Sequence, residues 1–163
     1  AIAKFTHSGS QIIDWTPGGS MARSRHLYPK FIDFIREAVS ELEAKGNEVE
    51  ITGIFYHLGE NDMSFHPYRK QAAERLQAII AQVRRDLAQP GLKWYVSQQP
   101  PTDDKRVNNV DVVTTVAAAA SADPAMIHLK AFDLPAQEKK LVITTDGIVQ
   151  LGELIARDYL ARQ

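Results

Sequence analysis

The sequence predicts an α/β fold: a three-layer α/β/α sandwich on a mostly parallel, doubly wound sheet. Three observations carry this. Short apolar segments alternate with amphipathic helical segments along the chain. One of them, Ile51 to His57, is almost continuously apolar apart from Thr52, as in a strand buried on both faces. It then ends in Gly59-Glu60-Asn61-Asp62, which delivers polar side chains to the carboxyl edge of a sheet, where such folds keep their chemistry.

The elements follow in order. Ile2-Ala3-Lys4-Phe5 reads as a short strand running into the loop His7-Ser8-Gly9-Ser10. A helix is predicted from about Tyr28 to Lys45, with Leu27, Phe31, Phe34, Ile35, Val39 and Leu42 on one face and Gly46-Asn47 as its stop. After the Ile51 to His57 strand, a second helix covers Tyr68 to Ala88. Ala72, Leu76, Ile79, Ile80, Val83 and Leu87 form its inner stripe, and Gln89-Pro90-Gly91 ends it. Trp94 to Ser97 is a strand, broken after by Pro100-Pro101. A helix from Lys105 to Ala122, a strand from Met126 to Lys130 and a last helix from Thr145 to Ala161 complete the chain. Ile148, Leu151, Ile155 and Tyr159 of that last helix are expected to face inward. Strands separated by helices of this length imply right-handed crossovers in one sheet.

The 163 residues suit a single domain, and a hydrophobic fraction of 44% suffices for one core. Nineteen basic residues against twenty acidic ones give a net charge of -1 without blocks of like sign. Nucleic acid and anionic membranes are therefore not expected as partners. No apolar run approaches the ~18 residues of a spanning helix. Cysteine is absent, which excludes disulfides, thiolate zinc sites and a cysteine nucleophile. The compartment stays open on these grounds, with a secreted or periplasmic location favoured over the cytoplasm. The oligomeric state is not legible.

Several residues are candidates for chemistry. Gly9 lets the backbone approach a ligand and present its N–H, against the plainer reading of a strand-end turn. Asp14-Trp15 can cap or wall a cleft. Asn61 offers a neutral amide donor suited to developing negative charge on an ester oxygen. Asp62 reads better as a helix cap. His57, Glu60, Asp62 and His66 have the residue types of a metal site, but their spacing fits no helix face and no familiar loop, so no metal is expected. His128, in a predicted strand, reads as a tolerated core or edge histidine. Ser8 and Ser10 are weak substitutes for a nucleophile, because neighbours on an extended segment point to opposite sides and His7–Ser8 is poorly arranged.

On these residues the chain resembles the SGNH-hydrolase superfamily, and within it the sialate O-acetylesterase-like carbohydrate esterases. Tyr56-His57-Leu58-Gly59-Glu60-Asn61-Asp62 is similar to the Trp-His-Gln-Gly-Glu-(Ser/Asn)-Asp signature. Ile2 to Trp15 looks like the second block of the family, and Val96-Ser97-Gln98-Gln99-Pro100 like the strand with a Gln-x-Pro exit. Val107 to Asp133 and Leu141 to Ala156, with Leu151-Gly152-Glu153, resemble the closing segments. The resemblance implies hydrolysis of acetyl esters on sugars by a Ser nucleophile, activated by a His with an Asp three residues before it. It implies Gly9 and Asn61 as oxyanion donors, with Glu60 lining or ordering the site. Ser10, Trp15 and His57 are then expected to contact an acetylated carbohydrate. No cofactor and no metal are implied.

Three departures qualify that expectation. The Gly-Gln-Ser-Asn-Met-like block that supplies the nucleophile has no counterpart and belongs upstream of Ile2. The closing Asp-x-x-His positions hold Lys139 and Val142, and neither residue can do the work of that pair. The signature Trp and Gln are Tyr56 and Leu58. Residues 1–163 are thus expected to form one SGNH-like domain, N-terminally incomplete and lacking its first strand. Whether it is an enzyme stays open; the alternative is a catalytically dead relative acting as a glycan-binding or interaction module.

Overall fold

The structure, a computed structural model, describes residues 1–64, 68–98, 110–129 and 143–162. Three strands, β1 (Ile54–Leu58), β2 (Trp94–Gln98) and β3 (Met126–His128), form one parallel sheet in the order β1-β2-β3. Leu58 lies opposite Gln98, and Val96 opposite His128. The helices are α1 (Tyr28–Ala44), α2 (Glu60–Ser64), α3 (Tyr68–Asp86), α4 (Val110–Ala122) and α5 (Thr145–Leu160). Two 3₁₀ turns, Ile12–Trp15 and Met21–Arg23, precede α1.

Alternation along the strands divides the side chains between two faces. Trp94, Val96 and Met126 pack with Tyr28 and Ile32 of α1, Leu76, Ile79 and Val83 of α3, and Val112 and Val116 of α4. Tyr95, Ile127 and Leu129 pack on the other side against Leu154, Ile155 and Tyr159 of α5. The three layers expected from the sequence are therefore present, as an open α/β sheet of SGNH type that, among the described residues, lacks the fold's first strand. All five residues of β2 are buried, as a central strand requires. On β1 exposure alternates instead, and Phe55 is 45% exposed although stacked on Tyr95. The sequence of β1 suits a strand buried on both faces, yet no strand lies beyond its outer edge among the described residues.

Some expectations need correction. Ile2 to Phe5 is not a strand: residues 1–7 have no regular structure. The segment has no neighbouring strand among the described residues to ladder with. Phe5 instead joins Trp15, Phe31 and Phe34 in an aromatic cluster with centroid distances of 5.2–6.0 Å from its ring. Of the stripe expected for α1, Leu27 is buried but Phe31, Phe34 and Ile35 are only half-buried, and the buried residues within the helix are Tyr28 and Ile32. On α5, Leu151 is buried but Ile148 is 57% exposed. The described packing of α5 is made by its later turns, through Leu154, Ile155 and Tyr159.

Helix ends follow local chemistry. Gly46, at φ +83°, closes α1, with the Asn47 N–H donating to the Leu42 carbonyl at 3.2 Å. The end of α3 has the same pattern, but the left-handed residue is Ala88 at φ +53°. There the Gln89 N–H donates to the Arg84 carbonyl at 2.9 Å and the Ala88 N–H to that of Arg85 at 3.1 Å. Thr144 caps α5, its hydroxyl accepting from the Gly147 N–H at 3.0 Å.

Candidate active site

The site is built where the loop after Phe5 meets the turn after β1. The Ser10 N–H donates to the His7 carbonyl at 3.3 Å, closing a turn in which Gly9 has φ +64°. This conformation is open to glycine and strained for most residues. The Gly9 carbonyl accepts from Arg25 Nη1 at 2.8 Å. The 3₁₀ turn begins at once. The N–H groups of its N-cap Gln11 and of its first residue Ile12 are each held by a buried carboxylate: Gln11 N–H by Asp14 Oδ2 at 2.9 Å, and Ile12 N–H by Asp62 Oδ1 and Oδ2 at 2.8 and 3.0 Å. Asp14 is 0% and Asp62 3% exposed. Asp62 thus caps the remote Ile12–Trp15 turn.

This double grip seats Ser10 beside Asn61. Asn61 Nδ2 donates to the Ser10 carbonyl at 3.4 Å, a long and weak bond. A carboxamide nitrogen carries two hydrogens, so this contact uses one of them. Tyr56 stands close by, its phenol pushed well above the ordinary tyrosine range by burial first and then by the charges of Asp62 and Asp14. The Arg25 guanidinium, 3.8 Å from Asp14, offsets part of the carboxylate charge on this wall of the site.

The other expected residues are placed as follows. Trp15 packs edge-on against Phe5 and Phe31. Glu60 opens α2; its side chain lies outside the described atoms. His57 shares the α5 face of β1 with Phe55, and its Nδ1 lies 2.8 Å from the buried Ser97 hydroxyl. The Ile12 turn packs in the core on the opposite face, so the structure brings Gly9, Ser10 and Asn61 together and keeps His57 apart from them. His57 and Asp62 accordingly lie on different sides of the strand end, and His66 falls outside the described residues. So do Lys139 and Val142. His7 folds onto its own loop, Nδ1 3.1 Å from the Ser8 carbonyl.

One polar pair went unread in the sequence. Gln98 ends β2 and His128 ends β3, both at the carboxyl edge. His128 Nε2 lies 2.6 Å from Gln98 Oε1, and Gln98 is 0% exposed with its Nε2 unpartnered among the described residues. The signal available was the position of Gln98 in the Gln-x-Pro exit of its strand.

The fold has a counterpart among solved structures. A protein of Arabidopsis thaliana, solved by X-ray at 1.6 Å, superposes with a TM-score of 0.72 at 22% identity, covering 94% of this chain. This chain spans 57% of that protein's length. No curated protein is significantly similar in sequence. The profile of the carbohydrate esterase family of sialic acid-specific acetylesterases matches residues 1–161. With a match over nearly its whole length, joined to this sheet and this strand-end turn, the chain belongs to the sialic acid-specific acetylesterase family of carbohydrate esterases.

Proposed function

We propose that this chain forms the larger part of a carbohydrate O-acetylesterase domain acting on acetylated sugars. The observation that carries the reading is the meeting of the Gly9 turn and Asn61 through the Ser10 carbonyl. It sets a backbone turn and a side-chain amide side by side at the carboxyl edge of the sheet. A tetrahedral oxyanion formed from an acetyl ester needs such convergent neutral donors. In this reading the Gly9 N–H and the second Asn61 N–H face the oxyanion. Glu60 orders the turn, and Ser10 and Trp15 lie nearer the sugar; His57, on the other face of β1 and held to Ser97, is not part of this reading.

The nucleophile comes from a segment outside residues 1–163. Two findings support that. The outer edge of β1 carries no strand among the described residues, and the chain spans 57% of the length of its structural neighbour. A strand added there would cover Phe55 and carry a serine to the same edge as Asn61.

A second reading is a glycan-binding module without turnover. Lys139 and Val142 in the closing block favour it. The test uses the full-length protein with p-nitrophenyl acetate and an O-acetylated sugar, together with a serine-reactive fluorophosphonate probe. Turnover with labelling supports the esterase. Neither turnover nor labelling, with retained binding of the acetylated sugar, leaves the binding module.

A further inference from the structure

His128 and Gln98 deserve a role because a buried carboxamide is not retained half-satisfied without cost. An unpaired buried donor costs about 1–3 kcal/mol, and such groups in native proteins call for an explanation. Here Gln98 Oε1 is spent on His128 while Gln98 Nε2 has no partner among the described residues. A carboxamide oxygen only accepts, so the proton of the neutral His128 ring sits on Nε2. Nδ1 is then its basic nitrogen. A histidine whose far N–H is fixed by a buried acceptor has the form of a general base with its orienting group, and a carboxamide serves as that group in some hydrolases.

Placement agrees with chemistry. β1, β2 and β3 run parallel, so Asn61, Gln98 and His128 all arrive at one carboxyl edge. His128 is half-buried at its strand end, whereas Gln98 is enclosed. Lys139 and Val142 hold the positions where a proton acceptor and its partner are otherwise expected, and neither can act as one.

We propose that His128, oriented by the Gln98 carbonyl, is the proton acceptor of this site. The proposal rests on the esterase reading. The attacking hydroxyl, of water or of a serine, gives its proton to His128 Nδ1 as its oxygen bonds to the acetyl carbonyl carbon. The carbonyl electron pair moves to oxygen. As the tetrahedral species collapses, the carbon–oxygen bond to the sugar breaks and the imidazolium returns that proton to the sugar oxygen. His128 is the catalytic residue in this scheme and Gln98 a positioning residue.

The experiment has two readouts on the full-length protein. Turnover of p-nitrophenyl acetate is measured for the wild type, His128→Gln, Gln98→Met and Gln98→Glu. The tautomer of His128 is read from ¹⁵N NMR of the imidazole. Expected are a loss of about 10²-fold or more in kcat for His128→Gln, a wild-type ring protonated at Nε2, a mixed tautomer with reduced kcat in Gln98→Met, and recovery of both in Gln98→Glu, which keeps the acceptor. Fluorophosphonate labelling separates a serine from a water nucleophile. Unchanged turnover in His128→Gln, or a wild-type ring protonated at Nδ1, overturns the proposal and leaves the esterase intact. A folded wild type with neither turnover nor labelling overturns both.

Discussion

Asp62 holds the backbone N–H of Ile12 with both carboxylate oxygens, at 2.8 and 3.0 Å, across fifty residues of chain. Both groups are buried, Ile12 at 0% and Asp62 at 3% exposure. This clamp fixes the loop carrying Gly9 and Ser10 against the turn after β1. Hydrogen bonds to a charged group contribute about 1.5–3 kcal/mol each in net terms, and an orphaned buried N–H adds its own penalty. Asp62→Ala is therefore expected to destabilise the fold by about 3 kcal/mol. It should also speed hydrogen exchange at the Ile12 amide, while Asp62→Asn, which keeps one acceptor, costs less. Equal exchange at Ile12 in wild type and Asp62→Ala would show that the clamp does not hold the loop.

Asn61 is the next link. If its amide faces an oxyanion, Asn61→Ala lowers kcat by about 10²-fold or more with little change in KM, the usual effect of losing such a donor. Its Ser10 contact at 3.4 Å is weak, so the same substitution should barely move the melting temperature. A large stability loss with unaltered kcat would reassign Asn61 to a turn role.

Much of this architecture was legible because burial writes itself into periodicity. The stripe Leu76, Ile79, Ile80 and Val83 predicted the buried face of α3, and all four are at most 2% exposed. The run Trp94 to Ser97 predicted β2, whose five residues are all enclosed. Periodicity cannot say what an element will find to pack on. Ile148 has the right spacing for the core, yet it is 57% exposed. Ile2 and Phe5 have a strand's composition, yet no described strand receives them. Gly9 and Asn61 stand out in short local motifs, and the structure sets the loop of one beside the side chain of the other. The arrangement was not legible where two distant residues had to meet, as Asp62 with Ile12 or Gln98 with His128. Those pairings depend on strand order and register, which no short motif encodes.

The end of α3 offers a purely local test. Ala88 occupies the left-handed position of a two-bond helix-ending motif, at φ +53°. The chain's glycine comes three residues later, at Gly91. A left-handed conformation costs a side-chain-bearing residue roughly 1–2 kcal/mol, against roughly 0.5–1 kcal/mol of extra entropy that glycine loses on folding. Ala88 is exposed and its methyl contributes little packing. Ala88→Gly is expected to raise stability by about 0.5–1 kcal/mol in denaturant unfolding. A decrease would mean that the helix end is not under strain at this residue.

Arg84 joins three elements from a single side chain. Its Nη1 lies 2.6 Å from Asp123 Oδ2, and its Nε donates to the Leu92 carbonyl at 3.1 Å. The guanidinium is only 14% exposed, so solvent screens the pair less than at an open surface. The other Asp123 oxygen accepts from the Ala125 N–H at 2.9 Å, shaping the turn into β3. Lysine can replace the charge but not the fork that reaches two acceptors. Arg84→Lys is expected to lose about 1–2 kcal/mol and Arg84→Ala more. Equal stability of Arg84→Lys and wild type would reduce the fork to a simple charge.

The Tyr28–Asp86 hydrogen bond, 2.6 Å long, ties α1 to the end of α3 and makes stability depend on pH at both extremes. The Asp86 carboxyl is held below its ordinary value of 3.8, first by the Tyr28 bond, then by Gln82, with burial opposing. The folded state therefore binds this proton less tightly than the unfolded state. Its contribution is present above the unfolded value and is lost as pH falls through the lower folded one. Tyr28 is raised well above its ordinary value of 10.0, by burial first and then by the bond and charge of Asp86. Its contribution is complete below that unfolded value and is lost as pH rises through the folded one. Tyr28→Phe keeps the ring and removes the hydroxyl. The melting temperature should fall by about 2–4 °C at neutral pH. The gap from wild type should narrow below the carboxylate range and again in strong alkali. A gap that stays constant from acid to alkaline pH would show that the two groups are not linked in the folded state.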